Sequence, residues 1–203
     1  MKMSSRWLVA LALLVAGSAS AQSVASVYQN PRMSGRTYAK ILVVGAHADV
    51  ERRRRFEKEV VRSLGALGIG AISALENLGD QALNRDVLAA AARNTGADAV
   101  LITRLIEAQM NEDVARSAPV SADRREDQPL TDFFRDEYTP ARDPMAVGTV
   151  RAVIVASDLY DVASEKRVWS GQSTAFAKDT VDAGIAGVAE SVTRVLRAGG
   201  WLD

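Results

Sequence analysis

Residues 39–46, AKILVVGA, hold an apolar run without alternation. Successive side chains of a strand point to opposite faces, so a strand with one wet face alternates apolar and polar residues. A run that does not alternate, bounded by turn signals, fits a strand covered on both faces. This feature calls for a packed layer on each side of a sheet. The next residues supply one: in ADVERRRRFEKEVVRSLGALG, Phe56, Val60, Leu64 and Leu67 fall at helical spacing, Asp49 can cap the start, and Gly65 and Gly68 stand near the end. A second short strand is expected over 69–75, a helix capped by Asn84 and stopped by Gly96, and a third strand over 99–109. Strand, helix, strand, helix, strand argues a parallel sheet with right-handed crossovers.

The pattern then changes. Residues 111–146 are polar and hold four of the five prolines, with nine acids and five arginines around Phe133, Phe134 and Tyr138. A segment this long without periodicity is unusual inside a compact domain and commonly carries function or stays disordered. Two long strands follow around a turn at ASEK, and the final helix is expected over 180–197 with Ile185, Val188, Val192 and Val195 or Leu196 as its buried stripe. GGWL then offers a glycine stop and apolar residues able to fold back. The expected fold is a single-domain α/β sandwich. Its mixed sheet has about five strands, three parallel through crossover helices and then an antiparallel hairpin, with about three helices.

The first 21 residues read as a secretory signal. Lys2 and Arg6 precede the apolar WLVALALLVA, and GSASA places small residues before a cut after Ala21. The run is too short to span a bilayer, which needs about 20 apolar residues. The expectation is a periplasmic chain with no integral membrane segment after cleavage, a flexible leader over 22–38 and a domain over 39–203. Losing Lys2 and Arg6 lowers Lys+Arg from 25 to 23 against 25 acids, a net charge of about −2. That balance argues against a nucleic-acid partner. The chain has no cysteine, which excludes disulfides, thiol nucleophiles, thiolate metal sites and a lipid-bearing cysteine.

The densest charge run is Arg52–Arg55. Four consecutive helical residues point about 100° apart, so they cannot share one phosphate backbone. Arg53 and Glu57, Glu51 and Arg55, and Arg55 and Glu59 stand four apart, the spacing at which opposite charges support a helix. Most of the run therefore reads as a solvated, paired face. The strand-to-helix turn over 45–53 still offers a candidate anion site at His47, Arg52 and Arg53, since α/β sheets place ligands at such turns and exposed N–H groups attract anions. His47 is the only histidine. No G-x-S-x-G elbow, nucleotide fingerprint or metal-ligand spacing accompanies it, so neither a catalytic set, a metal nor a cofactor is expected. Trp169 reads as core or as a cover for the sheet edge. The candidate partner-binding residues are Phe133, Phe134, Arg135 and Tyr138, because aromatics and arginine are enriched in interface anchors.

The order KILVVGA, ERRRRFEKEV, GADAVLITRLIEA and LYDVASEKRVWSG resembles a set of bacterial envelope domains. The set includes the N-terminal domain of TolB, the curli secretion lipoprotein CsgG and the penicillin-binding-protein activator lipoprotein LpoB. GADAVLI and the phrase formed by Asp161, Lys166, Val168, Trp169, Ser170 and Gly171 carry the likeness, over roughly residues 39–200. The resemblance implies an α/β sandwich used for protein contacts at the envelope, without catalysis. Many of those relatives are lipoproteins, and this chain lacks the lipid-bearing cysteine. The expected function is a noncatalytic interaction or assembly domain for another envelope protein; the alternative is a small-ligand or anion-binding module at the 45–53 turn.

Overall fold

The structure is a computed structural model and describes residues 24–109, 152–176 and 181–203. Six strands form one mixed sheet: β1 (Val24–Gln29), β2 (Lys40–Ala46), β3 (Gly70–Ser73), β4 (Ala99–Gln109), β5 (Ala152–Asp161) and β6 (Arg167–Phe176), in the order β1-β6-β5-β4-β2-β3. Among the described residues four α-helices accompany them: α1 (Val50–Gly65), α2 (Ala74–Leu78), α3 (Arg85–Thr95) and α4 (Val181–Ala198). Strands β3, β2 and β4 run parallel, and β4, β5, β6 and β1 are antiparallel in turn. The expected α/β architecture is present, with one strand and one short helix more than the sequence pattern announced.

The unalternating run of β2 is buried on both faces as its composition requires. Ile41 and Val43 join a core with Val60 and Leu64 of α1 and Val188, Val192 and Leu196 of α4. Leu42 and Val44 join a second core with Leu88, Ala91 and Ala92 of α3. Each Val, Leu or Ile side chain among them contributes about 1.5–3 kcal/mol on removal from water. The caps fall where the sequence placed them. Asp49 accepts from the N–H groups of Glu51 and Arg52, Asn84 accepts from Val87 N–H, and Gly96 closes α3 in the left-handed region at φ 68°. The buried stripe of α1 differs from the expected one. Arg53, Glu57, Val60 and Leu64 face inward, Phe56 is half-buried and Leu67 is exposed. Trp169 is fully buried in the α1/α4 core.

The leader expected over 22–38 contains ordered structure. Val24–Gln29 pairs antiparallel with β6 as the edge strand. Asn30 then turns the chain: its N–H donates to Val168 O, its Nδ2 to Arg167 O, and its Oδ1 accepts from Arg32 N. Tyr38 is buried and bridges Leu202, its N–H donating to Trp201 O at 2.9 Å. Residues 199–202 fold back as GGWL suggested, with Trp201 and Leu202 buried.

Asp161 ties this N-terminal segment to the β5–β6 turn. One carboxylate oxygen accepts from Arg36 Nη1 at 2.6 Å and Tyr38 Oη at 3.3 Å; the other accepts from the N–H and Oγ of Ser164, both at 2.7 Å. Burial pushes the carboxyl up, but the Ser164 hydrogen bonds and the Arg36 charge outweigh it and hold the group below the ordinary carboxylate range. Burial and the Asp161 charge push the Tyr38 phenol up. A carboxylate depressed by folding stabilises the protein fully above its unfolded value of about 4, and this contribution is lost as pH falls through the folded value. Asp161→Asn should therefore cost about 1–3 kcal/mol near neutral pH. The gap to wild type should narrow as pH drops below about 4. Urea midpoints at the two pH values check this; a gap independent of pH would refute the linkage.

Candidate functional site at the carboxyl end of the parallel strands

The parallel strands end beside the N-terminus of α1, and backbone pairing explains what gathers there. A residue's N–H and C=O point to the same side of its strand, so the sides alternate along the chain. Ala39 O accepts from Gly70 N on β3, and Lys40 O accepts from Asp98 N at the start of β4. Odd residues of β2 therefore face β3 and even residues face β4. The pairing with β3 ends at Val43↔Ser73, which leaves Gly45 facing a place where no strand continues. Its buried N–H needs an acceptor, and Glu57 of α1 provides one at 2.9 Å.

Glu57 is fully buried and its carboxylate is saturated. One oxygen accepts from Gly45 N and Arg53 Nε (3.0 Å); the other accepts from Ser73 Oγ (2.6 Å) and Leu75 N (2.8 Å). Ser73 also caps α2 by accepting from Glu76 N, so S-A-L-E acts as the start of a helix whose second N–H is taken by Glu57. One carboxylate thus joins β2, α1, the end of β3 and α2. Four donors, one of them a guanidinium, offset the cost of burying the charge. Space at Gly45 is tight: a Cβ there would stand 3.2 Å from Arg53 Cγ and 3.4 Å from a Phe56 ring carbon, so those side chains would have to shift by a few tenths of an ångström.

The four arginines separate accordingly. Arg53 lies inside on Glu57, with its Nη2 buried and without a hydrogen-bond partner among the described residues. Arg52 stands 3.6 Å from Asp49, Arg54 pairs with Glu51, and Arg55 is exposed. The sequence spacing identified the Arg53–Glu57 pair but assigned it to a solvated face; the structure places it in the interior. The helix drift that puts positions 53, 57, 60 and 64 on one stripe was the available signal.

His47 and Arg52 both meet Asp49, His47 Nδ1 accepting from its N–H at 2.9 Å, whereas Arg53 lies against Glu57. The Asp49 carboxylate already occupies the N–H groups of Glu51 and Arg52, and these contacts lower its pKa, the Arg52 N–H foremost. An external anion would compete with Asp49 for the same two donors. Among the described residues, no group of three His, Cys, Asp or Glu side chains could hold a metal ion.

The β4–β5 arm rises at the same end. The last pair between β2 and β4 is Ala46↔Arg104, yet β4 continues to Gln109, paired with Ala152 of β5. Leu105–Gln109 thus overhang β2 by roughly 16 Å at about 3.3 Å per residue. The register shifts between Leu105 and Glu107, just past the end of β2. Such a bulge bends a strand and increases its twist. The expected loop at 111–146, with Phe133, Phe134, Arg135 and Tyr138, lies outside the described residues; its two roots, Gln109 and Ala152, are paired on this arm.

Glu57→Ala strips an acceptor from two backbone amides, a hydroxyl and a guanidinium, and should cost about 3–5 kcal/mol. Arg53→Met removes one of four donors, so it should cost about 1–3 kcal/mol less than Glu57→Ala. Urea denaturation ranks the two; the opposite order would mean that the ion pair, and not the carboxylate's wider set of contacts, holds this end together.

No protein-family model matches the chain, and no curated protein matches it. Solved structures similar to it include the PelC dodecamer from Paraburkholderia phytofirmans, with TM-score 0.45 and 15% identity over 90% of this chain and 100% of that chain. Lipoprotein GNA1162 from Neisseria meningitidis gives 0.41 and 15% over 79% of this chain and 99% of that one. TolB from Acinetobacter baumannii gives 0.40 and 13% over 88% of this chain and 31% of that one.

Proposed function

We propose that the chain is a noncatalytic, exported envelope protein that binds another envelope protein through the carboxyl end of its parallel strands. The observation that carries this reading is the paired root Gln109↔Ala152. Two adjacent antiparallel strands need only a two-residue turn to connect them, yet this pair is joined through residues 110–151. A long insertion that springs from an extension of paired strands past the end of β2 is an arrangement by which scaffolds present binding segments. Its composition adds to the reading: Phe133, Phe134, Arg135 and Tyr138 are of the types enriched among interface hot spots.

The periplasmic location rests on the signal pattern of residues 1–21. No helix among the described residues is long and apolar enough to cross a membrane. The noncatalytic reading rests on the absence of cysteine and on the single histidine, whose Nδ1 is engaged by Asp49 N.

The test is capture from an envelope extract by crosslinking to the tagged chain, beside a variant carrying Phe133→Ala, Phe134→Ala and Tyr138→Ala. The intact chain should capture a discrete partner, and the triple variant should lose at least about tenfold of it, the loss of roughly 1.4 kcal/mol or more expected of anchors. Its urea midpoint should be unchanged. Equal capture by both would remove the segment from the interface.

A further inference from the structure

The side of the sheet that carries α3 continues past that helix onto β5 and β6. Asp158 of β5 stands opposite Ile102, a residue of the core beneath α3, so Asp158 lies on the α3 side. Alternation along β5 puts Ile154 and Ala156 on the same side. The register then adds Arg104 of β4, opposite Ala156, and Ser170 and Gln172 of β6, opposite Asp158 and Ala156. Arg167 joins the group, its Nη1 3.8 Å from Asp158 Oδ1.

This polar face is out of water. Ala156, Asp158, Arg167 and Ser170 are 0% exposed, and Ile154 and Gln172 are buried. The described elements do not account for that. The core beneath α2 and α3 reaches β5 at Tyr160, and Ile154 and Ala156 join neither described core. α4 packs with α1 on the opposite side of the sheet. A buried face bearing guanidinium, carboxylate, hydroxyl and amide groups needs a cover that excludes water and also hydrogen-bonds. Charge and reach point to residues 110–151. Arg104 and Arg167 outnumber Asp158 on the face, whereas residues 111–146 hold nine acids and five arginines, a complementary balance. The segment re-enters the sheet at Ala152, two residues before Ile154. The alternatives are short: residues 177–180 lead to α4 on the other side, and a cut after Ala21 leaves Gln22 and Ser23 before β1.

We propose that residues 110–151 dock within the same chain on this face of β5 and β6, their acidic and apolar residues covering the arginines and the Ile154–Ala156 strip. The insertion is then a part of the domain as well as the bearer of Phe133, Phe134, Arg135 and Tyr138. The docking stands whether or not those residues capture a partner, because it concerns a different surface.

The chain has no cysteine, so single introduced thiols report burial without background. Ala156→Cys and the near-isosteric Ser170→Cys are each placed in the chain from Gln22 onward, beside Ala189→Cys in the α1/α4 core as the control. All three should react slowly with a neutral maleimide. With residues 112–145 replaced by a short Gly/Ser linker, labelling at positions 156 and 170 should rise roughly tenfold or more, and Ala189→Cys should stay slow. Rapid labelling of Ala156→Cys and Ser170→Cys in the intact chain, or protection unchanged by the replacement, would overturn the docking. A second measurement needs no deletion. A diazirine-bearing residue in place of Gln172 should crosslink to peptides from residues 110–151 of the same chain at a yield independent of protein concentration. Crosslinks to α3, to the N-terminal residues or to a second copy would assign the face to that occupant and refute the proposal.

Discussion

The end of the parallel sheet depends on one buried carboxylate. β3 stops after Ser73, and β2 continues past it with an N–H at Gly45 that no strand can satisfy. Glu57 fills the gap and in doing so fixes three other elements to the same point. A buried charge is tolerated only when its hydrogen-bonding capacity is met, so the four donors are mutually required. Gly45 leaves room for Arg53 and Phe56, Ser73 supplies a hydroxyl, Arg53 points inward, and α2 starts at the same point. This is a constraint of geometry as well as of energy. It holds the first turn of α1 against the strand ends, and with it the position of the His47–Asp49 turn.

A second polar anchor works at the far end of the molecule. Asp161 holds the segment before β2 against the β5–β6 turn, while Asn30 secures the exit of β1. Between the two anchors the two faces of β2, β4 and β5 are packed by aliphatic side chains, which supply stability without direction. The polar anchors supply direction: they fix which residue meets which at the two ends. Past the end of β2, Leu105–Gln109 continue the pairing with β5 as far as Ala152.

Much of the architecture was legible in the sequence because local signals agreed with tertiary demands. AKILVVGA needed two covered faces and has them; Asp49, Asn84 and Gly96 cap where their chemistry directs. Two elements were not legible. β1 is built from VASVYQ, short and adjoining polar residues, and it forms only because β6 offers an edge, a non-local condition that local pattern does not encode. α2 is five residues long, too short for a periodic stripe, and rests on its cap and on Glu57. The candidate site was legible as a set of residue types but not as a direction. Spacing paired Arg53 with Glu57, whereas burial of the pair follows from the unsatisfied Gly45 N–H on another element. Phe133, Phe134, Arg135 and Tyr138 remain a reading of composition.

The central claim is that Glu57 makes the strand ends, α1 and α2 one cooperative unit. Native-state hydrogen exchange at the amides of Gly45 and Leu75 tests it most directly, because both donate to the same carboxylate from different elements. The account predicts strong protection at both amides and a common opening free energy as denaturant is raised, since neither can lose its acceptor without the other. Fast exchange at Leu75 beside a protected Gly45, or openings with different denaturant dependence, would contradict it and leave α2 as a separate, locally fraying turn.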